Sequence, residues 1–342
     1  TESESNTFEQ ETHEIDINIS INQTGFPLVS NAQYRASPVL LDLDEDNKKE
    51  IIIGNSFGDI HSYSSFGIDL EISGFPFDSG DQIWGSSASA DLDLDNEKDI
   101  VISSKSKNIY IFDKYGLKSE YFTDKYLIST PSIGQLDEDP ELEVVIGTYS
   151  SEDNMIFAVN PDGTSVDGFP VSVNGKISKG VALYDFNENG IDDIVFGSEE
   201  DEISLLLDDG TFNWTFTAQN KIKSAPSIIN TGSEVIICVG SNDNNLYCLN
   251  ENGSLKFSYA TNGDVQTSPS AIKINGELAI FFGSNDGYIY AVNLNGQDIE
   301  GWPKETNGDI VGSIVFADLD NDNYIEIIAA NDSGNLYSFN KD

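Results

Sequence analysis

Five times in 342 residues the chain repeats an acidic loop that runs directly into an apolar, β-type strand. The copies read LDLDEDNKKEI (41–51), ADLDLDNEKDI (90–100), GQLDEDPELEV (134–144), YDFNENGIDDI (184–194) and ADLDNDNYIEI (317–327). Each copy places oxygen-bearing side chains at positions 1, 3, 5 and 9 of the loop. One short loop can then offer several of the oxygens, about six to eight, that a calcium ion collects. Chains with such a regular internal repeat build themselves from stacked units, because one unit alone cannot bury both of its faces.

The units are marked by their openings: Ser37-Pro38, Ser87-Ala88, Thr130-Pro131, Gly180-Val181, Ala225-Pro226, Ser268-Pro269 and Ser313-Ile314, spaced 43 to 50 residues apart. After each opening comes an apolar run, then the loop, then a second strand such as EIIIG (50–54) or DIVFG (193–197). A tight turn, for example Asn285-Asp286-Gly287, leads to a third strand such as YIYAV. Gly-containing turns between two such runs are hairpin signals. A more polar fourth strand follows, often with Gly-aromatic-Pro, as at Gly74-Phe75-Pro76, Gly168-Phe169-Pro170 and Gly301-Trp302-Pro303.

The pattern predicts an all-β, seven-bladed propeller of four-stranded antiparallel blades. Its blades are expected at 37–86, 87–129, 130–179, 180–224, 225–267, 268–312 and 313–342 plus 15–35, behind an acidic, flexible lead-in at 1–14. The last unit stops after its third strand, while INISINQTGFPLV (17–29) carries Gly25-Phe26-Pro27 before the first unit. The N-terminal strand is therefore expected to complete the last blade and close the ring, removing an exposed sheet edge.

These loops, the Ser/Ala-Pro openings and the Gly-Ser-x-Asp-Gly turns resemble FG-GAP/VCBS-type propellers, the calcium-loop blades of integrin α-subunit heads and many bacterial secreted proteins. The resemblance covers 15–342, and 209–228 is also similar to the repeats of pyrroloquinoline-quinone propellers. It implies metal loops on one face and ligand contacts on the other or at blade junctions.

Candidate calcium ligands are Asp42, Asp44, Asp46 and Glu50 in blade one, and Asp91, Asp93, Asp95 and Asp99 in blade two. Blade seven offers Asp318, Asp320, Asp322 and Glu326. Fewer charges make Asp185, Asn187, Asn189 and Asp193 of blade four a weaker set. Blade three departs further, since Gln135 stands at position 1 and Pro140 follows Asp139, leaving Asp137, Asp139 and Glu143. Up to five Ca²⁺ sites are expected, with none in blades five and six, where NTGS (230–233) and ING (274–276) replace the loop.

Charge narrows the partners. With 59 acidic against 17 basic residues, the formal net charge is −42 and Arg35 is the single arginine. Such a surface repels phosphate backbones and anionic membranes, so neither nucleic acid nor membrane insertion is expected. No apolar run is long enough to span a bilayer as a helix. Without an initiator Met or signal-type apolar stretch, the sequence reads as a mature or trimmed product. Cys238 and Cys248 flank a hairpin and are either a cross-strand disulfide or two buried thiols. Five N-x-Ser/Thr sequons, at Asn18, Asn22, Asn213, Asn252 and Asn331, are no more than an Asn-rich chain produces by chance.

The favoured reading is a non-enzymatic, secreted or cell-surface, calcium-stabilised recognition module that binds glycan or protein. Trp84, Trp214 and Trp302 are either sugar-stacking platforms or sheet-packing aromatics. A structural subunit of a larger surface assembly is one alternative. A polysaccharide lyase or hydrolase is another, but the histidines are only His13 and His61, and no carboxylate pair stands out. A quinoprotein dehydrogenase would need basic and stacking residues on the ring axis, which one arginine poorly supplies.

Overall fold

The structure is a computed structural model describing residues 25–72, 74–274, 276–320 and 324–340. These residues form strands and turns with no helix. Seven antiparallel sheets follow one another along the chain, each paired in sequence order from inner to outer strand. Six have four strands and the seventh, built from Val315–Ala317, Glu326–Ala330 and Leu336–Phe339, has three among the described residues. Of the segment expected to supply its fourth strand (15–35), residues 25–35 are described and form no strand, and residues 15–24 lie outside the described residues.

The second strand of each blade carries the packing. In blade two, every residue of Asp99–Ser103 is buried. Ile100 and Ile102 pack toward blade one, while Val101 packs toward blade three. A pleated strand sends alternate side chains to opposite faces, so a strand covered on both sides reads as one apolar run. Six buried clusters result, one between each successive pair of blades from one–two to six–seven. The glycine ending this strand in five blades (Gly54, Gly147, Gly197, Gly240, Gly283) lies so close to the chain entering the next blade that a Cβ would overlap Ile83, Ile177, Ile222, Val265 or Ile310.

Gly-aromatic-Pro proves to lie ahead of the outer strand rather than within it. Where it occurs, the outer strand is only two residues long: Phe77–Asp78, Val171–Ser172 and Lys304–Glu305. Blades two, four and five lack it and have outer strands Gly116–Phe122, Phe212–Thr217 and Leu255–Ala260. Proline brings no N–H to the ladder, which accounts for the late start. Each of these X-Pro bonds, including Phe26-Pro27, is cis. Gly74 of blade one abuts Gly116 at the outer turn of blade two, and Gly168 of blade three abuts Asp209 at that of blade four. Gly25 stands in the same relation to Phe66, at the outer turn of blade one.

The two cysteines face each other directly across the second and third strands of blade five. They form a disulfide, with Cα atoms 4.2 Å apart.

Candidate metal loops and an axial cavity

The acidic loops share one backbone design. The buried acid at position 9 accepts a hydrogen bond from the backbone N–H at position 2. Glu50 accepts from Leu43 at 2.8 Å, Asp99 from Leu92 at 3.1 Å, Asp193 from Phe186 at 3.1 Å and Glu326 from Leu319 at 2.7 Å. Glu143 accepts from Leu136 in the same way. In blades one, two and four the position-1 aspartate accepts from the N–H at position 6: Asn47 to Asp42, Asn96 to Asp91 and Gly190 to Asp185. Positions 4 and 6 of those loops have positive φ, from 58° at Glu188 to 90° at Gly190. Asn and Gly at position 6 suit that conformation, and Pro140 of blade three cannot adopt it.

Four loops bring three carboxylates together with ligand oxygens within 4.8 Å of one another: Asp42, Asp44 and Glu50; Asp91, Asp93 and Asp95; Asp137, Asp139 and Glu143; Asp318, Asp320 and Glu326. Two ligands on one calcium lie at most about 5 Å apart, twice the bond length, so a single ion fits each group. The stronger observation is what these oxygens lack. Asp42 Oδ1, Asp91 Oδ1, Asp93 Oδ1 and Glu143 Oε1 are buried with no hydrogen-bond partner. Burial of an anionic oxygen without a donor is costly, and a cation removes the cost. The same burial pushes the Glu143 carboxyl up to about 7 and raises those of Glu50 and Asp99.

Other predicted ligands stand apart from these groups. Asp46 turns outward to the Lys48 ammonium at 2.6 Å. Asp99 is outside the blade-two triplet. Instead Lys118, from the outer strand, places its ammonium 2.7 Å from Asp93 and 3.2 Å from Asp99. In blade four both Asp193 oxygens accept backbone N–H groups, from Phe186 and Asp208, and burial pushes its carboxyl up to about 6. Asn187 accepts from the Asn189 N–H, and the Asn189 amide donates to Asp208. That loop holds itself together by hydrogen bonds. Asp322 lies outside the described residues.

The tryptophans separate. Trp302 is buried between Phe281 and Phe339 and is packing, not a platform. Trp214 donates to the Glu251 carbonyl and covers Gly253. Trp84 lines a cavity of about 780 Å³ to which all seven blades contribute, among them Arg35, Thr130, Lys179, Ala225, Ser268 and Ser313. The seven sheets therefore surround a common axis. Its cationic lining, together with Lys118, is what the sequence reading missed. Lysines and one arginine scattered along a chain carry no periodic signal, and only ring geometry makes them neighbours. His61 places Nδ1 2.9 Å from Asp69 and stacks on Tyr63, whose hydroxyl meets that of Tyr34. His13 lies outside the described residues.

Comparison with known proteins agrees with this architecture. Residues 144–263 match the family model of the lambda-carrageenase β-propeller domain, about a third of the chain. No curated protein matches in sequence. Among solved structures, the chain is similar to BBS1N in its complex with ARL6DN (12% identity, 93% of each chain covered, TM-score 0.60). It is also similar to BamB from Moraxella catarrhalis (13% identity, 90% of this chain and 100% of that one, TM-score 0.53). The V. cholerae biofilm matrix protein Bap1 aligns at 15% identity, over 90% of this chain and 59% of that one, with TM-score 0.52. At such identities the likeness is one of fold, and the fold is a β-propeller.

Proposed function

We propose that the chain is a calcium-stabilised recognition module, secreted or displayed at a cell surface, that binds a glycan or protein partner without catalysis. The observation that carries this reading is the convergence of loop carboxylates in four blades, with buried oxygens of Asp42, Asp91, Asp93 and Glu143 in blades one, two and three that have no donor. Asp42, Asp44 and Glu50, with the equivalent groups of blades two, three and seven, would hold the ions. Calcium there supplies positive charge that ties each loop to the base of its second strand. The Cys238–Cys248 disulfide supports an oxidising, extracytoplasmic compartment. Propellers of similar fold crystallise in complex with a protein, as BBS1N does with ARL6DN, and occur in a biofilm matrix, as Bap1 does.

The N-terminal segment belongs, in this reading, to blade seven as its outer strand. Gly25 touches blade one as Gly74 touches blade two, and the position it copies is that of the preceding blade. A second reading, a polysaccharide lyase or hydrolase, draws on the His61–Asp69 pair beside Tyr63 and Tyr34. The test is a glycan and surface-protein binding screen in millimolar calcium and in excess EDTA, run beside a polysaccharide depolymerisation assay. Calcium-dependent binding without cleavage supports the module. Cleavage abolished by His61→Gln supports the enzyme, and binding indifferent to EDTA removes calcium from the function.

A further inference from the structure

The axial cavity contradicts the charge of the molecule that surrounds it. In a chain with 59 acidic and 17 basic residues, its lining holds Arg35 and Lys179 and no carboxylate. Both cations are exposed, and neither has a carboxylate within ion-pair distance among the described residues. The side chain of Trp84 organises one side. Its ring lies 4.5 Å from the Arg35 guanidinium carbon and 4.4 Å from the Lys105 ammonium. Its indole N–H is tied to Gln82 at 2.8 Å, and Gln33 accepts from Arg35 at 3.2 Å. An aromatic face fixes a cation without neutralising it, unlike a carboxylate partner. Arg35 is thus oriented and still carries its full charge into the cavity.

We infer that this cavity binds an acidic oligosaccharide, a sugar chain bearing carboxylates. Guanidinium and ammonium groups supply the counter-charge, and guanidinium matches a carboxylate with two parallel donors. The rest of the lining is mostly small or hydroxyl-bearing, including Ser37, Thr130, Ser178 and Ser313, with Ile128, Val311 and Val315 as its apolar part, and the hydroxyls suit a sugar chain. A low-dielectric cleft lined by one sign of charge focuses its field locally, so the molecule's net charge does not decide what enters. The net charge of −42 on the chain as a whole instead selects against bulky polyanions, leaving short acidic segments or chain ends.

The inference rests on the recognition-module reading. Its test uses the calcium-loaded protein and isothermal titration with trimers of galacturonate and of mannuronate. A fully methyl-esterified galacturonate trimer is the neutral control and hexaglutamate the peptide control. At least one uronate trimer is expected to bind roughly tenfold tighter than the ester. Arg35→Gln with Lys179→Gln is expected to remove that preference while leaving the melting curve unchanged, and Lys273→Gln to leave both unchanged. Equal affinity for acid and ester, binding untouched by the double variant, or tighter binding of hexaglutamate at the same residues would each overturn the assignment. So would the absence of uronate binding by protein whose melting still depends on calcium, an outcome that leaves the module reading standing. Melting indifferent to calcium would count against that reading instead.

Discussion

Blades five and six close their inner hairpins differently from the other five, and the contrast bears on what the acidic loops would do under the proposed calcium binding. Their inner strands, Ser227–Asn230 and Ser270–Ile274, run into short turns, and in blade six the ladder continues to Ile274 opposite Glu277. Elsewhere the inner strand is three residues long, as in Val39–Leu41 or Ala182–Tyr184, and the ladder gives way to the loop. Blade five adds a disulfide and a Lys256–Glu234 pair at 2.6 Å. Backbone pairing, a covalent link and an ammonium thus hold this pair of blades, where the proposed calcium would act on the converging carboxylates of blades one, two, three and seven. Blade four is intermediate, since its loop keeps the backbone design but satisfies its own oxygens.

Chelation should break this contrast most visibly. At a tenfold excess of calcium over its dissociation constant each occupied site contributes about 1.4 kcal/mol, so four contribute about 6 kcal/mol. For a chain of 342 residues, excess EDTA is then expected to lower the melting temperature by roughly 8 °C. Hydrogen exchange should then rise in the loops of blades one, two, three and seven and stay unchanged at 230–234 and 274–277. Uniform protection with and without calcium would show that the two kinds of blade are held alike.

Replacing Cys238 and Cys248 together by serine should cost about 2–4 kcal/mol, as loss of a disulfide does. That loss is expected to be equal in calcium and EDTA. A loss that depends on calcium would couple blade five to the loops and erase the distinction.

Glu143→Gln sharpens the comparison through its sign. It keeps an acceptor for the Leu136 N–H and removes a charge whose ionisation burial opposes. In EDTA at neutral pH it should stabilise by about 1–3 kcal/mol; in calcium it should destabilise and remove one bound ion. Destabilisation in both conditions would assign Glu143 a purely structural role. The smallest effect belongs to Lys256→Met, which breaks a partly exposed pair and should cost about 0.2–1 kcal/mol with no dependence on calcium.

Local pattern made much of this legible in advance. The seven openings, the alternating apolar runs and the position-9 acids can each be read from neighbours in sequence, because a blade is a local unit built from hairpins. The carboxylate triplets were legible for the same reason. What the sequence left unread were contacts that cross between strands or blades. Lys118 arrived from an outer strand onto Asp93 and Asp99, and Trp84 met Arg35 across the cavity wall.

By itself, then, the sequence determined the repeat, the strand order and which loops could gather oxygens around a cation, all set by spacing within about fifty residues. Only the tertiary structure decided that residues as distant as Arg35, Trp84 and Lys179 share one cavity. The reason is geometric. A ring returns each blade's opening to the same axis, and the local charge of that axis follows from which side chains meet there, not from the net charge of the chain.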